Sequence, residues 1–349
     1  MNDILYLDTP SVAAVLADLP VVDAIARAQR DHARGAVVLP EEAYLRWDHT
    51  EGWARSLCLP AALGKPATVA GTKIINSCLG NPAKGLPRAG GLLALYDVET
   101  AQVRTLMAAA ELSATRTAAV SALGALHLAP APVTDVALFG AGPIGRTHAR
   151  VVARTLPEPP RTIRLYDLDA ARCAEAARVL AAELGPVRVR AAASPAEALD
   201  GASLVVAATT TDRPYLDLHD VPAGSLTVNV GLDDCAEGLL MGADVLVVDS
   251  WQLVAADHRR LLGRLIAEGK VTRELSPGPS PRPSPNTPPA VRAVDAEIGE
   301  LVAGQRQLTL PPRGRVVFNP FGMAVNDVAL GSVIDREARR RGLGIRLPG

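Results

Sequence analysis

Several features are scarce in this chain, and each scarcity excludes a class of protein. Aromatic residues make up only 3% of the 349 residues, so stacking platforms for nucleic-acid bases are not expected. The net charge is −1 and there is no basic tract, which argues against nucleic-acid and membrane-surface partners. No apolar run has transmembrane length, and the N-terminus lacks the pattern of a secretion signal, so we expect a cytoplasmic protein.

Cysteine is also rare, and the four residues present are scattered along the chain. Neither a C-x-x-C pair nor the Cys/His spacing of a metal site occurs, so we expect free thiols and no bound metal. The four positions are Cys58, Cys78, Cys173 and Cys235.

One segment has a spacing that by itself indicates a chemistry. Residues 136–139 form an apolar run typical of a buried strand, and G-x-G-x-x-G follows before a segment, 146–156, that favours a helix. In this pattern Gly140 makes the tight turn, Gly142 lets the backbone approach a pyrophosphate, and Gly145 lets the helix pack closely on the strand. The sequence therefore predicts a dinucleotide site whose phosphate-binding residues are Gly140, Gly142, Pro143, Ile144 and Gly145.

An acidic residue follows the second strand-like run, residues 162–166. Asp167 stands where a carboxylate accepts hydrogen bonds from the adenosine ribose, and its charge would repel a 2′-phosphate. NAD is therefore favoured over NADP, although Arg172, close behind, could accept a phosphate.

The arrangement of elements predicts an α/β protein with two domains. Several strand-like runs with hairpin-length gaps precede residue 129 and favour an antiparallel or mixed sheet, whereas strands and helices alternate after it, as in a Rossmann-type doubly wound parallel sheet. We assign residues 1–128 and 320–349 to an α+β substrate-binding and dimerisation domain and residues 129–319 to an NAD-binding domain. Ser113 is expected to cap a helix over 113–128. The Pro-rich residues 276–289 are expected to form a surface excursion.

A hydride-transfer enzyme also needs groups that hold a second ligand. In the first domain Lys73 lies inside an apolar strand and Arg116 is the only charge on an apolar helix, while Arg46 has the weakest independent case. The alternatives are an edge-strand lysine in solvent and a surface arginine or interdomain ion pair.

In the second domain, polar residues follow two predicted strands. Asp233 and Asp234 come after residues 226–230, and one of them could be a general base, although a helix N-cap fits either. Thr209 and Thr210 follow residues 204–208 and could meet the ribose or the nicotinamide, because ligands gather at the carboxyl ends of strands.

Several motifs together resemble one family nearly end to end. They are Gly71-Thr72-Lys73-Ile74-Ile75, Gly80-Asn81-Pro82, S-A-T-R-T-A-A-V-S from Ser113 and G-A-G-P-I-G from Gly140. The chain resembles the ornithine cyclodeaminase/mu-crystallin family. Within that family, Y-L-R at Tyr44, R-A-G-G at Arg88, T-D-R-P-Y at Thr211 and N-P-F-G-M-A at Asn319 are similar to the dehydrogenases of 2,3-diaminopropionate biosynthesis in siderophore and antibiotic pathways.

The resemblance implies a reaction and a set of roles. The reaction is NAD-dependent conversion of N-(1-amino-1-carboxyl-2-ethyl)-glutamate into 2,3-diaminopropionate, 2-oxoglutarate and NADH, by a homodimer joined through the first domain's sheet. The implied substrate residues are Arg46, Lys73 and Arg116 for the α-carboxylate and Arg88 for an additional carboxylate. The implied catalytic residues are Asp234 and Lys73, and Arg116 and Thr117 are also assigned to the cofactor.

Three other functions stay open. An ornithine or lysine cyclodeaminase would return the hydride, but the family pattern D-C-P-G-K-T-E is here Asp234-Cys235-Ala236-Glu237-Gly238, which puts ring closure in doubt. An alanine-dehydrogenase-like or imine-reducing enzyme would consume NADH. A non-catalytic binding protein like mu-crystallin would not need Lys73, Arg116 and Asp234.

Overall fold

A computed structural model describes residues 3–50, 52–273 and 291–349, so the segment 276–289 lies outside the described residues. The chain divides into two compact units, unit 1 (residues 1–116 and 322–349) and unit 2 (residues 117–321). The boundary falls between Arg116 and Thr117, inside one continuous helix, whereas the sequence placed it at 128/129, just before a Pro-rich break. The functions assigned to the two domains stay predictions.

The elements follow one another in this order. The first ones are β1 (Ile4–Leu7), α1 (Thr9–Leu16), α2 (Val21–Ala33), β2 (Val37–Val38), β3 (Ala43–His49), β4 (Gly52–Leu63), β5 (Val69–Cys78), a 3-10 turn (Asn81–Lys84), β6 (Ala89–Tyr96), β7 (Val103–Ala108) and α3 (Ala109–Leu128). Next come β8 (Asp135–Phe139), α4 (Pro143–Thr155), β9 (Thr162–Tyr166), α5 (Ala170–Glu183), β10 (Arg188–Ala191), α6 (Pro195–Leu199), β11 (Leu204–Ala207), β12 (Leu226–Asn229), α7 (Glu237–Gly242) and β13 (Val245–Val248). The last are α8 (Trp251–Ala256), α9 (Leu261–Ala267), β14 (Val271–Thr272), β15 (Arg292–Ala293), β16 (Ala296–Glu297), α10 (Ile298–Val302), β17 (Val316–Phe318), α11 (Ala324–Arg341) and β18 (Ile345–Leu347).

Unit 1 is built on a mixed sheet, as the sequence predicted. The strand order is β18-β1-β7-β6-β5-β4-β2, with β3 paired to β4, and β1 lies parallel to β7 while the other pairs are antiparallel. Helix α11 packs on β4, β5 and β6, and α2 packs on α11. β3 was not among the predicted strands, although Leu45-Arg46-Trp47-Asp48 alternates between apolar and polar residues, and all residues of β3 are exposed.

The predicted cap at Ser113 is wrong. Helix α3 begins at Ala109, immediately after β7 ends, because the segment Ala-Ala-Glu-Leu already consists of good helix formers. Ser113 therefore lies within the helix, where its hydroxyl is 3.4 Å from Nζ of Lys73 on the sheet.

Unit 2 has the predicted doubly wound sheet. Its order is β10-β9-β8-β11-β12-β17-β13-β16 and every neighbouring pair is parallel. The first five strands in this order follow the Rossmann sequence 3-2-1-4-5, in which the carboxyl ends of the strands form the ligand edge. For β8, β9 and β11 the predicted strand bounds hold within one residue, because strands buried on both faces read as short apolar runs.

Among the described residues, no single helix is long and apolar enough to cross a membrane. Helices α1 and α2 have the length and apolar composition of a membrane span only when they are taken together, and they are bent by 89° at the break between them. Both helices bury apolar side chains, including Val12, Val15 and Ile25, in unit 1.

A buried histidine joins two helices of unit 2. His148 on α4 contacts the carbonyl of Ile144 through Nδ1 at 2.8 Å and the hydroxyl of Ser121 through Nε2 at 2.9 Å. Burial lowers the pKa of His148 to about 4.

In the unfolded chain His148 is protonated as the pH falls through about 6.5. In the folded chain it stays neutral until the pH falls to about 4. The stability from neutral His148 is fully present above the unfolded pKa and is lost as the pH falls toward 4. Between pH 7.5 and pH 5 the free energy of unfolding, measured by urea denaturation, should fall by about 2 kcal/mol more in the wild type than in His148→Gln. The amide of the glutamine can replace the bond to Ile144. Equal losses in the two proteins would contradict the assignment of a neutral histidine.

Candidate functional site

The glycine loop of unit 2 explains each of its glycines sterically. Gly140 has φ +98° and a Cβ there would lie 2.6 Å from the carbonyl oxygen of Ala208, while a Cβ on Gly145 would collide with the carbonyl oxygen of Gly140. A Cβ on Gly142 would meet nothing within 4 Å. The turn requires glycine at position 140, and close helix packing requires it at position 145. Gly142 leaves the backbone open to a ligand.

Helix α4 begins at this loop, three residues earlier than predicted. Gly142 is its N-cap, Pro143 and Ile144 form its first turn, and no side chain caps it. Proline is favoured at the first helical position because its missing N–H needs no partner there. The uncapped N-terminus of a 13-residue helix fits the phosphates of a dinucleotide.

Asp167 lies beside the same loop. Its Oδ2 accepts a hydrogen bond from the N–H of Ala141 at 2.8 Å, and its Oδ1 accepts bonds from the N–H of Asp169 at 2.9 Å and from Arg172 at 2.6 Å. Burial alone would raise the pKa of Asp167, but these donors outweigh it and hold the pKa below its usual value. The group is therefore a carboxylate, as the prediction for the ribose requires, and Arg172 pairs with it.

Asp234 is the other polar centre of unit 2. Its Oδ1 accepts hydrogen bonds from the hydroxyl of Thr209 at 2.5 Å, from the N–H of Thr209 at 3.2 Å and from the hydroxyl of Tyr215 at 2.9 Å. The hydroxyl of Thr209, predicted to meet the cofactor, thus donates to Asp234, whereas Thr210 is exposed beside it. Tyr215 remains a proton donor, because burial and the charge of Asp234 raise its pKa.

The second oxygen of Asp234 is buried without a hydrogen-bond partner among the described residues. Burial raises the pKa of Asp234, although the bonds from Thr209 and Tyr215 lower it in part. Gly231 makes room for this oxygen, since a Cβ at that position would collide with Oδ2. A carboxyl group with a raised pKa and an unpartnered oxygen is suited to accept a proton.

Asp233 has a different environment, although it is adjacent in sequence. Its Oδ1 accepts a hydrogen bond from the N–H of Leu261 at 2.6 Å at the start of α9, and its Oδ2 pairs with Arg264 at 2.9 Å. The sequence left open whether each of these aspartates is a general base or holds a helix terminus, and their contacts now distinguish them. Asp233 holds a helix terminus, and Asp234 is the candidate base.

The candidate centre of unit 1 is a buried cluster of charges. Lys73 is 1% exposed on the inner strand β5, which contradicts the alternative of an edge-strand lysine in solvent. Its Nζ lies 2.7 Å from Oδ1 of Asp327 on α11 and 3.4 Å from the hydroxyl of Ser113. The Nε of Arg116 donates to the same oxygen of Asp327 at 3.0 Å, so Arg116 is paired within unit 1.

In this cluster two cations are bound directly to one carboxylate. Burial lowers the pKa of Lys73 to about 8, helped by repulsion from Arg116 and opposed by Asp327, so the ammonium form persists at pH 7. Lys73 and Arg116 share the carboxylate of Asp327, and Glu42 is a further negative charge that raises the pKa of Lys73. Gly322 leaves space for the guanidinium, because its φ is +96° and a Cβ there would lie 2.7 Å from Nη1 of Arg116.

The other predicted residues of unit 1 have separate contacts. Arg46 on β3 lies 3.7 Å from Asp48 and stacks over the ring of Trp53 at 4.5 Å. Arg88 is half-buried just before β6, and Thr117 follows Arg116 on α3, where its carbonyl accepts a bond from Ser121. The structure therefore brings Lys73 and Arg116 together directly, and the roles of the other three stay predictions.

Three residues with direct contacts in these clusters, Ser113, Asp327 and Tyr215, were not among the predicted sites. Asp327 was detectable in principle, because Asn326-Asp327 interrupts the apolar start of α11. Tyr215 stands in a segment noted only for its resemblance, and nothing in its spacing to Asp234 indicates that their side chains meet.

Comparison with known proteins identifies the group to which this arrangement belongs. Unit 2 has the fold of the dinucleotide-binding oxidoreductases. A profile of the ornithine cyclodeaminase/mu-crystallin family matches residues 11–341, and the chain belongs to that family.

Individual relatives cover nearly the whole chain. The N-((2S)-2-amino-2-carboxyethyl)-L-glutamate dehydrogenase of Staphylococcus aureus is 28% identical over 93% of this chain and 92% of its own length. The crystal structure of CmnK is 31% identical, with a TM-score of 0.85 over 100% of this chain and 99% of that one. An archaeal alanine dehydrogenase dimer with bound NAD is 20% identical, with a TM-score of 0.81 over 99% of each chain, and shares the fold.

The pairing of Lys73 with Asp327 predicts a measurable coupling. Asp327→Asn leaves a buried ammonium without its carboxylate, and we expect it to lower the free energy of unfolding by about 3–5 kcal/mol in urea denaturation. The double variant Lys73→Met/Asp327→Asn should lose less free energy of unfolding than the sum of the losses in Lys73→Met and Asp327→Asn, by about 1 kcal/mol or more.

Asp335 supplies the matched control. It is buried on the same helix but pairs with Arg104 and Thr105. The losses in free energy of unfolding from Asp335→Asn and Lys73→Met should be additive within about 0.5 kcal/mol in the double variant. Additive losses for the Lys73 and Asp327 variants as well would disprove the coupling.

Proposed function

We propose that this protein is an NAD-dependent dehydrogenase that oxidatively hydrolyses N-(1-amino-1-carboxyl-2-ethyl)-glutamate. The products are L-2,3-diaminopropionate, 2-oxoglutarate and NADH, and the amine would serve siderophore or peptide-antibiotic biosynthesis. The observation that carries the proposal is the buried Lys73–Asp327–Arg116 cluster, in which one carboxylate orients two cations that suit an amino-acid carboxylate. Its support is the near full-length similarity to a dehydrogenase acting on this glutamate conjugate.

The cofactor assignment rests on the glycine loop and Asp167. Gly140, Gly142 and Gly145 open the start of α4 to a pyrophosphate, and the carboxylate of Asp167 disfavours the 2′-phosphate of NADP. Bound NAD supplies the hydride acceptor. The NAD found in the archaeal alanine dehydrogenase of the same fold supports this choice.

Lys73 and Arg116 hold the substrate α-carboxylate. Asp327 fixes both cations, so the carboxylate meets donors that are already oriented, and the Cα–H keeps one direction. This orientation is the contribution of unit 1 to hydride transfer.

Asp234 handles the protons of the hydrolysis. Loss of hydride from Cα leaves a ketiminium, and Asp234 takes a proton from the water that adds to it. The same group then returns the proton to the amine nitrogen of the carbinolamine. As the C–N bond breaks, the hydroxyl proton passes to Asp234, and 2-oxoglutarate and diaminopropionate separate. The raised pKa of Asp234 suits both directions of transfer.

The proposal predicts stoichiometric NADH from the conjugate. Purified protein with NAD and the conjugate should form one NADH for each 2-oxoglutarate, measured by absorbance and by a coupled assay. Asp234→Asn should lower kcat by about 10²- to 10⁴-fold, because no base remains to activate water. The matched control is Asp233→Asn, which loses the ion pair with Arg264 but should retain kcat.

Three results would overturn parts of this proposal. Ornithine converted to proline and ammonia, with no NADH from the conjugate, would make the protein a cyclodeaminase. Consumption of NADH with a keto acid and an amine would make it a reductase. Unchanged activity in Asp234→Asn would remove the assigned base.

We also propose a homodimer joined through the sheet of unit 1. Helix α11 packs on the face that bears Lys73, whereas the opposite face exposes Leu45 by 60%, Ile74 by 44% and Leu92 by 41%. Ile74 and Leu92 are directly paired across β5 and β6, so they form a continuous apolar area.

Light scattering after size-exclusion chromatography tests the dimer. The wild type should have twice the mass of the 36.4 kDa chain, and Ile74→Glu/Leu92→Glu should be a monomer because it buries two carboxylates at the contact. Leu168→Glu is the control, since Leu168 is a 92% exposed apolar residue of unit 2. A dimer that survives the double substitution would exclude this face.

A further inference from the structure

Three arginines gather at one end of the unit 1 sheet. Arg46 on β3 lies directly opposite Arg55 on β4, and Arg55 lies opposite Ser77 on β5, which is opposite Ala89 on β6. Residues directly opposite one another in antiparallel strands share a face of the sheet. Arg88 precedes Ala89, and its carbonyl accepts a hydrogen bond from Cys78 at 2.9 Å, so it stands at the same end.

This end is aligned with the carboxylate-binding cluster. Lys73 and Ser77 are four residues apart on β5, an even spacing that puts them on one face, about 13 Å apart along the strand. Arg46 and Arg55 therefore lie on the face that bears Lys73. A ligand held at Lys73 can extend along β5 toward Arg55.

Arg46, Arg55 and Arg88 form what we call the arginine row, and their positive charges are not equally neutralised by carboxylates. Arg46 has Asp48 at 3.7 Å and stacks on Trp53. Arg55 and Arg88 are half-buried, and neither has an ion pair with a carboxylate in the part of the chain that the structure describes. Burial and the charge of Arg55 lower the pKa of Arg88, which indicates that the two guanidinium groups are near each other.

Like charges on adjacent strands are destabilising unless an anion joins them. Guanidinium groups bind carboxylates through two parallel hydrogen bonds, and a pair of them suits a dicarboxylate end. They would repel the cationic side chain of ornithine or lysine.

We infer that Arg55, with Arg88 and Arg46, binds the distal carboxylates of the substrate and selects amino acids that carry additional carboxylates. This inference rests on the proposed function and adds Arg55 as a specificity-determining residue. Lys73 and Arg116 then hold the α-carboxylate of the glutamate portion, next to the reacting carbon, and Arg46, Arg55 and Arg88 hold its side-chain carboxylate.

Kinetics of matched variants test the inference on the full-length protein. Arg55→Gln and Arg88→Gln should each raise KM for the conjugate by about tenfold or more, with a much smaller change in kcat, because each removes a charge-assisted hydrogen bond remote from the reacting carbon. Arg27→Gln, an exposed arginine on α2 of the same unit, is the control and should leave KM unchanged. An unchanged KM in both test variants would overturn the inference.

Calorimetric titration separates failure of the inference from failure of the proposed reaction. In the NADH-bound protein, 2-oxoglutarate should bind about tenfold more weakly to Arg55→Gln than to the wild type, whereas the Kd of pyruvate, which has one carboxylate, should not change. Equal losses for both acids, or no binding of 2-oxoglutarate to the wild type, would overturn the role of Arg55. If the wild type forms no NADH from the conjugate but shows the expected selectivity, the reaction is wrong and the dicarboxylate site stands.

Discussion

The burial of Lys73 is the constraint on which unit 1 depends. An ammonium that is 1% exposed has lost its hydration, and only a well-placed carboxylate makes this tolerable. Asp327 meets that need from α11, and the same oxygen accepts the bond from Arg116, which lies 211 residues earlier in the chain. One carboxylate thus fixes a strand and two helices and leaves both cations oriented. The stability of the fold and the readiness of the site for an anion come from the same contacts.

Unit 2 shows how local surroundings give two neighbouring carboxylates opposite roles. Both side-chain oxygens of Asp233 accept bonds from residues of α9. Asp234 is buried, and among the described residues one of its oxygens, beside Gly231, has no hydrogen-bond partner. The difference arises because successive side chains after a strand point in different directions, one toward a helix terminus and one toward the ligand edge of the sheet. The raised pKa of Asp234 follows from burial, and it is the property that hydrolysis needs in a base.

The arginine row adds a reason for substrate choice within the family. A cluster for one carboxylate suits any amino acid, whereas the positive charges of Arg55 and Arg88 favour a substrate with further carboxylates and disfavour a cationic one. Specificity of this kind is a difference of affinities, and repulsion of the wrong substrate contributes as much as attraction of the right one.

The sequence alone determined the features that depend on local pattern. The parallel sheet of unit 2, the glycine loop and Asp167 were readable because buried strands are short apolar runs and the turn tolerates only glycine at set spacings. The partners of Lys73 and Asp234, the interior position of Ser113 in α3 and the row that includes Arg55 were not. Those features depend on which strands and helices come together across long stretches of chain, and no local periodicity records such pairings. Tertiary packing therefore decided which charged residues are buried, which are paired, and which remain able to bind an anion.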